Sequence, residues 1–279
     1  MSEKITVEYI LKSKGMRKLT MLTAYDYPIA SLVDRCGIDM ILVGDSLANV
    51  VLGLDSTTKV GMSEMLHHAK AVTRAVKNAL VIGDMPYDSY QTNPEESVKN
   101  ARRFIEEAKC DAVKLEWFDH CLEVTEEIRK AKIPVMGHIG LTPQTADKIG
   151  GFKVQGKDAE AAGRLIEQAL ELEKRGCFSI VLECVPDKIA QMITGKLRIP
   201  TIGIGAGLYC DGQVLVIHDM LGLFERYTPK FVKKYVNLSP LIAQAIQDFK
   251  NDVLEAKFPG PEHTFTIKEE ELRKLGKNE

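Results

Sequence analysis

Short apolar segments alternate with longer amphipathic segments along most of the chain. Each apolar segment is a few residues long, rich in β-branched residues, and apolar throughout rather than at every second position. This pattern is typical of parallel strands that are covered on both faces. The segments are residues 19–25, 40–46, 80–85, 112–117, 134–140, 179–185, 200–206 and 213–217.

The amphipathic segments predict helices between these strands. Apolar residues recur at spacings of three and four in residues 63–78, 94–110, 122–132 and 158–176. Repeated strand–helix units favour a closed (β/α)8 TIM barrel, an α/β fold, with an open doubly wound sheet as the alternative. The link from Gly207 to Gly212 is too short for a crossover helix, so we expect a turn there.

Two segments lie outside the repeated units. Residues 6–15 predict a helix that could close the bottom of the barrel, and the chain ends in a C-terminal helical and tail extension, polar from Phe258 onward. With 279 residues, 45% of them hydrophobic, the chain can bury one large core. No linker divides it, so we expect residues 1–279 to form a single (β/α)8-barrel domain.

Charge and cysteine content narrow the classes of function. A formal net charge of −2 gives no field that would hold nucleic acid or an anionic membrane. No apolar run is long enough to span a membrane, and residues 1–18 do not resemble a signal peptide. The six scattered cysteines, without a Cys-x-x-Cys pair, predict reduced and mostly buried thiols. We therefore expect a cytoplasmic protein.

Carboxylates close four of the predicted strands, at Asp45, Asp84, Glu116 and Glu183. The carboxyl ends of parallel barrel strands meet at one mouth, where active sites are built. Carboxylates are seldom left at the edge of a core without a charge partner or a metal. Oxygen ligands favour a hard cation such as Mg²⁺. The alternative is that each carboxylate only accepts hydrogen bonds from loop amides.

Other polar residues lie on the same strand ends. Lys114 and Glu116 are two apart and point to the same face, where the lysine can pair with a substrate carboxylate or relieve repulsion among the acids. His138 can hydrogen-bond a substrate oxygen or can be a satisfied core histidine. The glycines of residues 202–207 fail the G-x-G-x-x-G spacing, because position 208 is leucine. Close approach of the backbone to a ligand is our interpretation of them.

Several motifs occur together in a fixed order. They are MLTAYD at 21–26, VGDSL at 43–47, GDMP at 83–86, VKLE at 113–116, GHIGLTPQ at 137–144, GGFKVQGK at 150–157, LE at 182–183 with VP at 185–186, and residues 201–222 with DGQ at 211–213 and HD at 218–219. In these segments the chain resembles the ketopantoate hydroxymethyltransferase family. The resemblance implies the same barrel fold.

The resemblance also implies a reaction and a set of site residues. In the reaction, 3-methyl-2-oxobutanoate, 5,10-methylenetetrahydrofolate and water give 2-dehydropantoate and tetrahydrofolate, in pantothenate biosynthesis. The implied roles are Mg²⁺ binding by Asp45, Asp84 and Glu116, contact with the 2-oxo acid by Asp45, Ser46, Asp84 and Lys114, and general base catalysis by Glu183. We add His138 as a substrate-binding candidate. Bacterial relatives form decamers, so the resemblance implies a large homo-oligomer.

Two departures from the family pattern and two alternative functions stay open. Ala48-Asn49 stands where the family has Gly-Met, and Trp117-Phe118 stands where it has Gly-Gly, so we expect a narrower pocket or a changed folate contact. One alternative is a Mg²⁺-dependent 2-oxo acid lyase or mutase of the phosphoenolpyruvate mutase and isocitrate lyase type. Its expected Lys-Lys-Cys-Gly loop does not occur in the sequence. The other is a non-catalytic metabolite-binding barrel, which the presence of all four acids disfavours.

Overall fold

Parallel strands close into a barrel in the computed structural model, which describes residues 3–91, 93–149 and 153–275. The strands are β1 (Leu19–Thr23), β2 (Met40–Val43), β3 (Leu80–Asp84), β4 (Ala112–Glu116), β5 (Val135–Gly140), β6 (Ser179–Glu183), β7 (Thr201–Ile204) and β8 (Gly212–Leu215). They pair in chain order, and β1 pairs with β8 through the register Leu19↔Gly212. The predicted (β/α)8 barrel is confirmed, and this closing pair excludes the open sheet. Residues 150–152 of the predicted motif at 150–157 lie outside the described residues.

Helices follow most of the strands and cover the barrel. They are α1 (Val7–Lys12), α2 (Tyr27–Arg35), α3 (Leu47–Val50), α4 (Met62–Ala75), α5 (Tyr87–Tyr90), α6 (Pro94–Glu106), α7 (Cys121–Lys130), α8 (Ala159–Lys174), α9 (Asp187–Lys196), α10 (Ile217–Met220), α11 (Leu238–Leu254) and α12 (Glu269–Leu275). The predicted helices correspond to α1, α4, α6, α7 and α8. As expected, β7 connects to β8 without a helix.

Side-chain caps set where several of these helices begin. The Asn93 carboxamide accepts a hydrogen bond from the backbone N–H of Glu96 at 2.9 Å, and Pro94 occupies the first turn of α6. The Asp158 carboxylate accepts from the N–H of Ala161 at 2.8 Å at the start of α8. Such caps satisfy amide groups that have no partner within the helix. The sequence therefore encodes the helix starts locally.

The core has two parts, one inside the barrel and one between the barrel and its helices. Inside the barrel, Met21, Met40 and Ile82 pack together, and Ile10 of α1 lies fully buried against this group. α1 therefore closes the bottom of the barrel, as predicted. On the outside, Gly83 of β3 lies against the ring of Phe104 from α6, so a Cβ at this position would clash with the ring.

A buried carboxylate also holds the chain between α4 and β3. Asp34 accepts hydrogen bonds from the backbone N–H groups of Lys77, Asn78 and Ala79 at 3.0, 2.9 and 2.7 Å. Burial raises the pKa of Asp34, but these hydrogen bonds outweigh it and hold the pKa below its ordinary value. The ionised carboxylate therefore stabilises the entry to β3.

The C-terminal helices lie away from the barrel. No residue of α11 is buried, and its apolar side chains Leu241, Ile246 and Phe249 are exposed. The predicted helical and tail extension is confirmed. Among the residues that the structure describes, no helix has the length and hydropathy needed to cross a membrane. The cysteines are free thiols, and most of them are buried, as predicted.

Candidate active site

One cavity of about 620 Å³ opens at the carboxyl ends of the strands. Every predicted site residue lines it, namely Asp45, Ser46, Asp84, Lys114, Glu116, His138 and Glu183. Because β2, β3 and β4 are neighbours, they bring the first three acids to one wall, while β6 brings Glu183 from across the mouth. The expectation that the strand-end carboxylates share one mouth is confirmed.

Lys114 and Asp84 form a buried ion pair on adjacent strands. Lys114 Nζ lies 2.6 Å from Asp84 Oδ1, with the lysine 3% exposed and the aspartate 1% exposed. Asp84 Oδ2 accepts a hydrogen bond from the backbone N–H of Asp45 at 3.2 Å. Burial raises the pKa of Asp84, and Lys114 lowers it in part, which leaves the pKa at about 7. Lys114 thus offsets negative charge where the acids converge.

Gln144, in the turn after β5, connects this wall to its neighbours. Its side-chain amide donates to Asp45 Oδ2 at 2.9 Å and to the carbonyl of Met85 at 3.1 Å. Its side-chain oxygen accepts from the Tyr90 hydroxyl at 2.5 Å, and its backbone N–H donates to Glu116 Oε2 at 3.0 Å. All these groups are buried. Gln144 therefore holds the carboxylates of Asp45 and Glu116 in place.

His138 lies between two carboxylates. Its Nδ1 is 3.5 Å from Glu116 Oε1, and its Nε2 is 3.2 Å from Glu183 Oε2. Burial and Lys114 lower the pKa of His138, but the two glutamates outweigh them and raise it to about 9. The two glutamates therefore favour the protonated imidazole, and the contact of His138 with substrate stays a prediction.

Ser46 is supported by a tyrosine from the first strand–helix connection. Its Oγ lies 2.8 Å from the hydroxyl of Tyr25, which is buried. The Tyr25 ring in turn packs against the ring of His218 with centroids 5.4 Å apart. This ring contact links the carboxyl end of β2 to α10, which follows the closing strand β8.

The predicted metal ligands offer oxygen atoms only. Among residues 3–91, 93–149 and 153–275, no group of three or more His, Cys, Asp or Glu side chains has the arrangement of a metal site. Asp84 and Glu116 are held by protein donors, as described above. Nevertheless Glu116 Oε1 is buried without a hydrogen-bond partner, and Asp45 and Asp84 are neighbours in the cavity wall. This donor set fits a hard cation.

The two departures from the family pattern lie in different places. Asn49 lines the cavity, and its side-chain amide donates to the carbonyl of Leu54 at 3.0 Å. Trp117 and Phe118 instead line a neighbouring cleft, where the Phe118 ring meets the ring of Tyr90 edge-on at 5.3 Å. Neither aromatic residue lines the cavity itself, so the structure does not support a narrower pocket there, and a changed folate contact stays a prediction.

The glycines after β7 make room for side chains of the chain itself. Gly205 has φ +64°, and a Cβ there would lie 2.8 Å from the ring of Phe231. Gly207 has φ +75°, and a Cβ there would lie 2.5 Å from Asp187. Positive φ and close contact both require glycine. Phe231 is thereby seated over β7, where it lines the cavity.

Three cavity-side residues have no predicted role, namely Tyr90, Gln144 and Asp219. Gln144 and Asp219 belong to predicted motifs, at 137–144 and 218–219, so motif membership was the available signal. Neither ends an apolar strand, which is the feature that singled out the other acids. Tyr90 lies in no motif, and its role follows only from its contacts.

Buried acids, a lysine and a histidine around the mouth of a closed (β/α)8 barrel define this protein as a barrel enzyme. The family model described as ketopantoate hydroxymethyltransferase matches residues 4–261, and the chain belongs to this family. The family resemblance and the predicted hydroxymethyltransferase class are confirmed.

The sequences of two relatives are similar to this chain over nearly its whole length. Two proteins named 3-methyl-2-oxobutanoate hydroxymethyltransferase are similar. That of Syntrophomonas wolfei subsp. wolfei is 57% identical, over 98% of this chain and 99% of its own. That of Syntrophobacter fumaroxidans is 56% identical, over 99% and 98%. A solved phosphoenolpyruvate phosphomutase from Streptomyces platensis subsp. rosaceus superposes with a TM-score of 0.61 at 14% identity, over 90% of this chain and 88% of that one. This last likeness shows the fold alone.

Proposed function

We propose that this protein transfers a hydroxymethyl group from 5,10-methylenetetrahydrofolate to 3-methyl-2-oxobutanoate, giving 2-dehydropantoate and tetrahydrofolate. The observation that carries the proposal is the division of one cavity into two walls. A cluster of acids with Lys114 occupies one wall, and Glu183 faces it from β6. Such a cavity can hold an anionic 2-oxo acid on one side and remove its proton from the other.

We propose that Asp45, Asp84 and Glu116 hold Mg²⁺. The proposal is supported by their oxygen-only donor set and by the buried Oε1 of Glu116, which makes no hydrogen bond and has His138 Nδ1 at 3.5 Å as its ion-pair neighbour. When bound, the cation would supply Lewis acidity that favours ionisation next to a ketone.

The 2-oxo acid would bind against the wall that carries Lys114. The ammonium group of Lys114 is the cation nearest the acids, and it can pair with the substrate carboxylate while remaining beside Asp84. Ser46, held by Tyr25, offers a hydroxyl to the same ligand. These contacts would place C3 of the substrate toward Glu183.

Glu183 would act as the general base. Its side chain is mostly buried, lines the cavity, and has His138 Nε2 3.2 Å from its Oε2. The C3–H bond breaks, the proton passes to the Glu183 carboxylate, and the electron pair forms the enolate.

Water adds to the one-carbon unit of the folate and both of its C–N bonds break, which leaves this carbon at the oxidation level of formaldehyde and places the two water protons on the folate nitrogens. The enolate carbon adds to this carbon, and Glu183 returns the C3 proton to the new oxygen, which becomes the product hydroxyl, so atoms and charge balance. The chain's residues bind and orient the partners, and the cosubstrate supplies the electrophile.

The test is proton exchange in deuterated water. The wild-type protein with Mg²⁺ should exchange the C3 proton of 3-methyl-2-oxobutanoate, as followed by proton NMR. Glu183→Gln should bind the acid but lose exchange by a factor of about 10²–10⁴. Glu167→Gln, on the exposed face of α8, is the matched control and should exchange normally. Full exchange in Glu183→Gln would refute the base assignment.

Removal of the metal is a separate test. After dialysis against excess EDTA, turnover should disappear and should return on addition of Mg²⁺. Unchanged turnover in EDTA would refute the metal role while leaving the base assignment intact.

We also propose a cytoplasmic homo-oligomer, with the decamer of the family resemblance as the expected size. The exposed apolar side chains of α11 support association, because contiguous exposed apolar surface marks contact sites. Light scattering should give a mass several times the 31.0 kDa of one chain. A mass equal to one chain would refute the oligomer.

A further inference from the structure

The cavity extends well beyond the space that a small 2-oxo acid needs. Its volume of about 620 Å³ lies within the range of about 300–1,000 Å³ that is usual for drug-sized ligands. The acids and Lys114 occupy the end formed by β2, β3 and β4. The remainder, which we call the outer chamber, is lined by Asp219, Phe224, Arg226, Tyr227 and Phe231. All five belong to the chain after β8.

Asp219 is the unusual member of the outer chamber. It is 8% exposed, and within the described part of the chain its carboxylate makes no hydrogen bond and no ion pair with another side chain or amide. Burial raises the pKa of Asp219 to about 6, with Lys234 lowering it in part. Its carboxylate oxygens are not among the enclosed atoms without a partner, and the residue lines the cavity, so a ligand that brings donors can reach them.

The position of Asp219 is fixed by its neighbours. The backbone N–H of Ile217 donates to Thr23 Oγ1 at 3.0 Å, which anchors the start of α10 to β1. The adjacent His218 packs its ring against Tyr25. Asp219 is therefore presented to the cavity by a short helix held at two points, rather than by a free loop.

Aromatic side chains line the same cavity as this carboxylate. Phe231 sits over Gly205, whose lack of a Cβ admits the ring. Arg226 lies at the rim, where its Nη1 donates to the carbonyl of Gly53 at 2.9 Å and joins the C-terminal wall to the segment after α3. The outer chamber thus offers flat apolar surfaces, one buried acceptor group and one rim cation.

We propose that the outer chamber binds the reduced pterin ring of the one-carbon donor, with the Asp219 carboxylate accepting hydrogen bonds from the ring N–H and the adjacent amino group. The proposal rests on the proposed function, since that reaction requires a folate. The 2-amino-4-oxopyrimidine edge presents two neighbouring donors, which match the two oxygens of a carboxylate. The aromatic walls suit the flat ring.

The chemistry excludes the other substrate from this end. A 2-oxo acid carries a carboxylate, which Asp219 would repel. It is drawn instead to Lys114 on the opposite wall. Arg226, at the mouth, can meet the carboxylates of the folate's glutamate tail. The two substrates therefore bind at opposite ends of one cavity, and the charges at each end suit the substrate that binds there.

The experiment is calorimetric titration of the full-length protein with tetrahydrofolate under anaerobic conditions. Asp219→Asn keeps the size of the side chain but places an amide donor or a single acceptor against the ligand's donors. It should weaken binding by about tenfold to hundredfold. Asp55→Asn is the matched control, since Asp55 also lines the cavity but is exposed and already paired with Lys59 at 2.6 Å. It should change binding by less than about twofold. Equal binding by wild type and Asp219→Asn overturns the proposal.

Two further measurements locate the effect. A tetrahydropterin without the tail should show the same loss in Asp219→Asn, whereas p-aminobenzoylglutamate alone should not; the reverse result overturns the placement of the ring. Guanosine presents a similar donor edge, so binding of guanosine more tightly than tetrahydrofolate would also overturn the proposal.

Proton exchange at C3 separates this inference from the proposed function. Exchange needs only the 2-oxo acid and Mg²⁺, so Asp219→Asn should retain it. Loss of exchange together with loss of folate binding would place Asp219 at the 2-oxo acid end and overturn the inference. Absence of exchange in the wild-type protein would instead count against the proposed function itself.

Discussion

Replacement of Gln144 by leucine should destabilise the protein strongly although it alters no strand or helix. Leucine is similar in size but has no polar atoms. It would remove the donor to Asp45 Oδ2, the donor to the Met85 carbonyl and the acceptor of the Tyr90 hydroxyl. The backbone bond from residue 144 to Glu116 would remain. Asp45 Oδ2 and the Met85 carbonyl would thus lose a donor, and the Tyr90 hydroxyl would lose its acceptor while it still accepts from the backbone N–H of Glu116 at 3.3 Å.

The size of the effect follows from these three groups. Each buried group left unsatisfied costs about 1–3 kcal/mol, and more where the group is charged, as at Asp45. Neighbouring losses share relaxation and do not simply add. We therefore expect a loss of about 4 kcal/mol in the free energy of unfolding, a large part of the roughly 5–15 kcal/mol that folded proteins have. Turnover should fall too, because Asp45 loses the donor that orients it.

Urea unfolding followed by circular dichroism measures this loss. Gln244→Leu on α11 is the matched control, since Gln244 is exposed and its side chain only donates to Asp248 at 2.8 Å. That variant should lie within about 0.5 kcal/mol of the wild type. If Gln144→Leu also unfolds within about 1 kcal/mol of the wild type, the hydrogen bonds do not hold the wall in the way described.

Other substitutions test the packing behind the site. Gly140→Ala should abolish most turnover, because φ is +96° and the added Cβ would clash with the carbonyl of Glu183, displacing the base; steady-state kinetics of the folded variant measure this. Gly83→Ala should lower the thermal midpoint by several degrees, because the Cβ would clash with Phe104. Asp34→Asn should cost about 2–4 kcal/mol at neutral pH. Since hydrogen bonds lower the folded pKa of Asp34, that contribution is present above the unfolded pKa. It is lost as the pH falls through the folded pKa, so denaturation curves of wild type and variant should converge below about pH 4.

Strand positions could be predicted from the sequence because each strand is buried on both faces. Every predicted apolar segment contains or overlaps an observed strand, and the differences are one to three residues at the ends. The helices α2 and α9 are not predicted. α2 has only nine residues, and α9 contains Gly195, which weakens a helical pattern. Their stability comes from packing on the barrel rather than from a long periodic pattern.

The site acids could be predicted for a similar reason, since the end of a strand fixes where its residue lies. The role of Gln144 could not be predicted, because its partners Asp45 and Glu116 are 99 and 28 residues away along the chain. Only the closed barrel brings them together. The role of Asp219 could not be predicted from the spacing of residues either, because only the folded cavity shows that its carboxylate has no partner.

Closure of the barrel by β1 and β8 affects how the protein is made. Leu19 pairs with Gly212, so the edge of β1 stays open until β8 has left the ribosome. At synthesis rates of about 5–20 residues per second, this interval lasts about 10–40 s. An open strand edge can pair with other chains, so the nascent protein is prone to wrong association during this interval. Because Asp219 follows β8, the cavity is completed only after β8 has been made.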